Sequence, residues 1–78
     1  MPSSLRTASQ KRLQALLIST RKARKLTQWD VAEKLGRPQS FVAKYEGGER
    51  RLDVPEFIEV ARALGVDPCA LLKELVSK

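Results

Sequence analysis

The sequence contains no histidine and only one cysteine, Cys69, among its 78 residues. Histidine is the commonest general base and metal ligand, and a lone cysteine forms neither an internal disulfide nor a zinc cluster. We therefore expect no enzymatic activity, no metal and no other cofactor. Cys69 is expected to fill core space or to lie at a helix start, and the low cysteine content favours a reducing cytoplasm.

Long apolar runs are also missing from the chain. No run approaches the ~20 residues that span a membrane, and the N-terminus has no apolar signal-peptide core. A chain of 78 residues is expected to form one domain, without a two-lobed cleft or a small-molecule effector domain. A domain of this size buries only about 60% of its unfolded surface, so it gains stability by dimerising.

Positive charge is abundant and unevenly distributed. The chain has 15 Lys and Arg against 9 Asp and Glu, for a net charge of +6. Residues 1–51 carry a balance of +8, whereas residues 52–78 carry a balance of −2. This asymmetry favours a polyanion such as nucleic acid as partner, although a solvated surface kept for solubility also explains the charge alone.

Apolar residues recur at helical spacing in five short segments, and no segment shows the alternation of a strand. Residues 1–8 have no period and are expected to form a flexible N-terminal arm, followed by one all-α domain over residues 9–78. The Thr27 hydroxyl is expected to cap the second helix by accepting from the Asp30 amide, with the Asp30 charge favourable in the first turn, and Asp53 with Glu56 is expected to form a capping-box-like pair. The helices are predicted to run from Ser9 to Arg24 or Lys25, from Thr27 to Gly36, over residues 38–46, from Asp53 to Gly65, and from Asp67 onward.

The second and third helices are separated by only about three residues around Gly36. Such a tight helix–turn–helix can present its second helix to a groove. Its packing requires a small residue at Ala32, a left-handed backbone at Gly36 and a core residue at Val42. All three requirements are met at these positions.

The segment LTQWDVAEKLG at 26–36, followed by PQSFVAKYE at 38–46, resembles the phage-repressor or Xre-type (Cro-like) helix–turn–helix regulators. The resemblance covers residues 13–75, and Arg37 departs from it because many relatives have an apolar residue there. It implies a compact, five-helix, lambda-repressor-like fold that binds double-stranded DNA. The matching positions are Gln28, Ala32, Gly36, Val42, Gly48, Arg50, Arg51, Leu52 and residues 57–66.

This resemblance implies that the third helix enters the major groove. Gln39 then lies at its N-terminal end, where an amide can pair bidentately with adenine. Ser40 and Lys44 lie on the face opposite the core and are also expected to contact bases or phosphates. Phe41 is interpreted in two ways, as a base contact or as a core-edge partner of Tyr45.

Phosphate contacts are expected around this helix. In the resembled family, the glutamine matching Gln28 braces the one matching Gln39 and touches a phosphate. The start of the second helix also offers free amides for an anion. Trp29 is expected to fill the core edge, although its indole N–H can reach a phosphate, and Tyr45 and Glu46 are expected to be structural. The predicted phosphate contacts are Thr27, Gln28, Arg24, Lys25, Arg37, Arg50 and Arg51.

The C-terminal helix is expected to form a two-fold dimer contact. The family pattern indicates this, and the helix carries apolar residues at more angles than one small core accommodates. Simple packing within the chain is the alternative. The predicted interface residues are Leu71, Leu72, Leu75 and Val76.

Two functions remain open at this point. One is a dimeric, sequence-specific transcriptional regulator on a pseudo-palindromic operator, such as a restriction–modification controller, a phage-type repressor or an antitoxin. The other is a protein-interaction adaptor or antitoxin-type module built on the same fold. Steep salt dependence with preference for one palindrome favours the first, and weak binding without sequence preference favours the second.

Overall fold

The computed structural model describes the backbone of residues 3–77 and the side chains of residues 8–77. Over this range the chain forms five α-helices and no strand, which confirms the all-α prediction. In the same range, no helix has both the length and the hydropathy needed to cross a bilayer. The helices are α1 (Ser3–Ala23), α2 (Gln28–Leu35), α3 (Gln39–Glu46), α4 (Val54–Ala63) and α5 (Pro68–Val76).

Helix α1 begins earlier than predicted. It starts at Ser3 instead of Ser9, so the segment expected to be an arm is helical over residues 3–8. Met1 and Pro2 lie outside the described residues. Absence of an apolar period did not exclude a helix here, because a helical turn outside the core needs no buried stripe. At its other end, α1 stops at Ala23, and Lys25 adopts a left-handed conformation with φ of 61°.

The start of α2 is set by local hydrogen bonds. The Asp30 amide donates to Thr27 Oγ1 (3.0 Å), which confirms the predicted cap, and the Thr27 amide donates to Asp30 Oδ2 (2.8 Å), which completes a capping box. Gly36 ends α2 with φ of 69°, and a Cβ built there meets nothing within 4 Å. The requirement for glycine at this turn is therefore conformational and not steric.

The α2–α3 pair is held by the rest of the molecule. Helix α2 packs against α3 and α4, α1 packs against α3 and α5, and α4 packs against α5. Full burial of an aliphatic side chain stabilises the fold by about 1.5–3 kcal/mol. The inner face of α3 is held in place by such burial against α1 and α2, and its outer face remains exposed to solvent. The core consists of Leu17, Val31, Ala32, Phe41, Val42, Tyr45, Val60, Ala61, Leu64 and Leu71.

Candidate nucleic-acid interface

The two faces of α3 have opposite character. Val42 is fully buried and Tyr45 is nearly so, whereas Ser40 and Lys44 are exposed. Residues four apart lie on one side of a helix, so Ser40 and Lys44 share the outer face. Gln39, half-buried, occupies the first turn. The structure thus brings together three of the four residues predicted to contact bases.

Phe41 does not join this outer face. It is 8% exposed, and its ring meets Tyr45 edge-on at 5.5 Å between centroids. The guanidinium carbons of Arg37 and Arg50 lie 4.4 Å and 4.9 Å from the ring centroid. The core-edge interpretation describes this ring, and Phe41 is therefore withdrawn from the base contacts, because a covered ring offers no surface to a base.

The two arginines over Phe41 share one carboxylate. Arg50 Nη2 and Nη1 donate to Glu56 Oε2 (2.8 Å) and Oε1 (3.2 Å), and Arg37 Nη2 lies 3.7 Å from Glu56 Oε2. The loop between α3 and α4, which contains Arg50, is thereby tied to the capping box of α4, where the Glu56 side chain also accepts from the Asp53 amide (3.0 Å). Two cations against one anion leave net positive charge beside α3. The sequence predicted only the capping role of Glu56.

Acid is expected to destabilise the fold partly through Glu56. Its pKa is lowered, first by the Asp53 amide that donates to it and further by Arg50 and Arg37. Since the folded pKa lies below the unfolded one, this contribution is complete above the unfolded value near 4.3 and is lost as the pH falls through the folded value. Urea unfolding at stepped pH from about 6 to 2.5 measures the loss.

Glu56→Gln removes this titration while preserving the side-chain shape. We expect the variant to be less stable than the parent at neutral pH and to show a shallower decline in acid. An identical acid decline in both proteins would contradict the assignment. Asp30→Asn is the companion variant, because the Thr27 amide lowers the pKa of Asp30 in the same way at the other capping box.

Arg24 is exposed and also joins two parts of the fold. Its Nε donates to the Leu64 carbonyl (3.0 Å), and its Nη2 donates to the Gly65 carbonyl. These bonds tie the end of α1 to the turn between α4 and α5. Its predicted phosphate contact stays a prediction, as it does for the exposed Lys25 and Arg51 and for Thr27 and Gln28 at the start of α2.

A chain of hydrogen bonds extends from the start of α3 into the interior. Gln39 Nε2 donates to Gln28 Oε1 (2.7 Å), the contact that the resemblance implied. Gln28 Nε2 donates in turn to Glu46 Oε1 (2.9 Å). Arg21 Nε and Nη2 donate to Glu46 Oε2 (2.7 Å) and Oε1 (3.1 Å). Glu46 is only 6% exposed, so this ion pair lies inside the fold.

The Arg21–Glu46 end of this chain was not predicted. Glu46 was expected to be structural, and nothing in the local pattern connects it with Arg21, since they lie 25 positions apart. Arg21 also donates from Nη1 to the Leu26 carbonyl (2.9 Å), which anchors the guanidinium between α1 and the α1–α2 loop. One buried ion pair thus joins α1, α2 and α3 at the end of the site.

Trp29 differs from its expected place. It is 69% exposed at the second position of α2, so the prediction that it fills the core edge is wrong. Val31 and Ala32 form the buried side of α2, and Trp29 lies on the opposite, exposed side. An aromatic side chain therefore lies next to the predicted anion site formed by Thr27 and Gln28.

The predicted dimer residues divide into two groups. Leu71 is 5% exposed and belongs to the core, so it is withdrawn, because a residue packed within its own chain cannot pack across an interface. Leu75 is half-buried, whereas Leu72 and Val76 are 48% and 73% exposed. Cys69 is also exposed, at the start of α5, and does not fill the core. Leu72 lines an apolar groove together with Val54, Phe57, Ile58, Pro68 and Cys69.

At least three solved structures are similar to this chain in fold and, to differing degrees, in sequence. The chain is similar to an Xre-family-like protein from Pseudomonas syringae pv. tomato str. DC3000, with 48% identity, 94% of this chain and 89% of that chain covered, and a TM-score of 0.90. It is similar to the restriction–modification controller protein C.AhdI from Aeromonas hydrophila, with 28% identity, 82% and 97% covered, and a TM-score of 0.75. The clp gene regulator ClgR from C. glutamicum, 24% identical with 86% and 87% covered, shares the fold at a TM-score of 0.77.

Comparison of sequences leads to the same family. No curated protein matches the chain. The helix-turn-helix family model matches residues 17–71, which is more than half of the 78 residues and includes both helices of the motif. The family match and the Xre-family relative agree with the geometry of α2 and α3. The chain therefore belongs to the Xre-type helix-turn-helix family of DNA-binding regulators.

Proposed function

We propose that this protein is a homodimeric transcriptional regulator that reads a pseudo-palindromic operator with α3 in the major groove. The observation that carries the proposal is the outer face of α3. Ser40 and Lys44 are exposed on one side of a helix whose other side packs into the core, and Gln39 lies half-buried in its first turn. The second helix of such a motif reads base edges with its N-terminal residues. This function requires no catalytic group and no cofactor, and it assigns the protein to the cytoplasm.

Gln39 is the proposed main base contact. One of its two amide hydrogens is used by Gln28, which leaves one N–H and the carbonyl oxygen for a ligand. Adenine offers an acceptor at N7 and a donor at N6 in the major groove, which matches this remaining pair. Lys44 and Ser40 extend the same face along the groove.

Phosphate binding is assigned to groups on both sides of α3. The start of α2 contributes its free amides together with Thr27, Gln28 and the preceding Lys25. Arg37, Arg50 and Arg51 are the proposed phosphate contacts on the other side of α3. The guanidinium groups of Arg37 and Arg50 both lie over the Phe41 ring and both pair with Glu56, which fixes their positions. Each phosphate neutralised releases condensed counterions, so binding is expected to weaken steeply with salt.

Arg51→Ala tests the phosphate assignment. Arg51 is exposed, and its loss is expected to weaken binding to all duplex sequences about equally, because phosphates carry no sequence information. The slope of log affinity against log salt should become shallower by about one unit per bound chain. Fluorescence anisotropy with a labelled duplex at four or more salt concentrations measures the slope.

Lys34→Ala is the matched control for the Arg51 experiment. It removes one exposed cation from the last turn of α2, beside Glu59 and Arg62 of α4, and should leave the slope unchanged. If Arg51→Ala and Lys34→Ala give the parent slope alike, Arg51 is not a phosphate contact. If the parent itself shows neither a steep slope nor a preferred sequence, the regulator function fails and the adaptor alternative gains support.

The dimer is proposed to form through the exposed apolar surface of α4 and α5. Val54, Leu72 and Val76 are 72%, 48% and 73% exposed, and apolar side chains clustered on a surface mark an interaction site. In such a two-fold dimer, α5 is the dimerisation helix of the domain. The two copies of α3 then lie about 34 Å apart, which is one turn of DNA. The acidic C-terminal half then lies away from the phosphates.

A further inference from the structure

We propose that Glu46 determines specificity without touching DNA, by fixing which way round the amide of Gln39 faces the base. The inference rests on the proposed function, since it concerns how Gln39 reads a base. It assigns to Glu46 a positioning role that acts through Gln28. Four hydrogen bonds link Arg21, Glu46, Gln28 and Gln39 in a chain.

The first step is the chemistry of the Glu46 carboxylate. Both of its oxygens accept hydrogen bonds from the Arg21 guanidinium, at 2.7 Å and 3.1 Å. An ionised carboxylate has acceptors and no donor. Because Glu46 is 6% exposed, an amide oxygen turned toward it would face a second buried acceptor and form no hydrogen bond there. Any amide beside Glu46 must therefore present its nitrogen.

The second step is the orientation of Gln28. Its Nε2 lies 2.9 Å from Glu46 Oε1, so its carbonyl oxygen is directed at Gln39. The two ends of an amide have nearly the same shape, and only hydrogen-bond partners distinguish them. The acceptor-only partner Glu46 makes this choice. Gln28 thus presents an acceptor, and not a donor, to the recognition helix.

The third step is the effect on Gln39. Because Gln28 Oε1 accepts at 2.7 Å, Gln39 must donate from Nε2 and keeps one N–H and Oε1 for the base. That pair matches adenine, with its N7 acceptor and N6 donor. In the reversed arrangement Gln39 accepts from Gln28 and keeps both N–H groups, which match the two acceptors of guanine, O6 and N7. Glu46 therefore favours adenine over guanine at the position read by Gln39.

Glu46→Gln is the principal variant. It preserves the shape but allows either end of the new amide to face Gln28, so the orientation of Gln39 is no longer imposed. The affinity ratio for adenine over guanine at this one base pair, about 5- to 150-fold for a good bidentate pair, should fall to within about twofold. Ratios at the other operator positions should remain as in the parent. Competition binding with duplexes that differ only at this position gives the ratio.

Two further variants make the result decisive. Glu33→Gln removes the same charge from an exposed position of α2 and should retain the parent ratio. Gln28→Met breaks the chain while keeping the Arg21–Glu46 ion pair, and it should lose the ratio as Glu46→Gln does. Because the measured quantity is a ratio of affinities for two duplexes, a general loss of affinity or of protein stability lowers both affinities alike and leaves the ratio unchanged. Should Glu46→Gln fail to fold by circular dichroism, the double variant Arg21→Gln, Glu46→Gln takes its place, because it leaves no buried charge without a partner.

The outcomes separate this inference from the function on which it rests. A parent protein without preference for any base pair overturns the proposed function. A selective parent, with folded Glu46→Gln retaining the adenine-over-guanine ratio, overturns only the role of Glu46, whether or not Gln28→Met loses the ratio. Loss of the ratio in these variants, together with its retention in Glu33→Gln, supports the role. The side-chain amide NMR signals of Gln39 should also shift in Glu46→Gln without DNA.

Discussion

Replacing Gln39 by alanine is expected to cost about 1–3 kcal/mol in each half-site, or about 2–6 kcal/mol on a two-fold operator. The loss arises because the amide of Gln39 is the proposed bidentate partner of one base in each half-site. Quantitative binding to the preferred operator and to the same operator mutated at that base pair measures it. The parent should discriminate between the two duplexes, and Gln39→Ala should bind them about equally.

Gln10→Ala is the matched control, since it makes the same chemical change on α1, away from the outer face of α3. It should discriminate as the parent does. The base-reading role of Gln39 is wrong if Gln39→Ala weakens the preferred and the mutated operator by the same factor. In that case Gln39 contributes to affinity only, as a phosphate contact does.

Leu72→Asp is expected to abolish the dimer and, with it, high affinity for the operator. Leu72 is 48% exposed and lines the apolar groove between α4 and α5. On a two-fold interface one substitution occurs twice, so two carboxylates are brought into an apolar contact. Losing the link between two half-sites commonly lowers affinity by about 10²- to 10⁴-fold. Analytical ultracentrifugation and operator binding measure the two effects on one preparation.

Ser19→Asp makes the same change in net charge on the exposed surface of α1 and is the control for Leu72→Asp. It should remain dimeric, with an affinity lowered only by the general effect of one added negative charge. A Leu72→Asp protein that sediments as the parent does and binds the operator equally well would exclude this surface as the interface. Circular dichroism establishes that both variants are folded.

Local chemistry explains which features could be predicted from the sequence. The bonds between Thr27 and Asp30 span three residues, and Gly36 meets a requirement of its own backbone, so both were predictable. Gln28 and Gln39 were placed together only through a family resemblance. The start of α1 was missed because residues 3–8 show no apolar period although they are helical.

Features that depend on packing between distant segments were the ones missed. Phe41 and Leu71 carry apolar side chains that suit either a core or an interface, and only the assembled fold places both inside. The role of Glu46 depends on Arg21, which is 25 positions away and on another helix. Arg24 is exposed, as a surface cation is, but its bonds to the carbonyls of the α4–α5 turn join segments 40 positions apart and were not predicted.

Selection of bound duplexes from a random pool tests most directly whether two copies of α3 read one operator. We expect a single enriched pseudo-palindrome whose half-sites are centred about one helical turn apart, near 10–10.5 base pairs. Each half-site should contain an adenine whose enrichment disappears when the selection is repeated with Gln39→Ala. A pool that stays random after several rounds, or one enriched for an isolated half-site, would contradict the account.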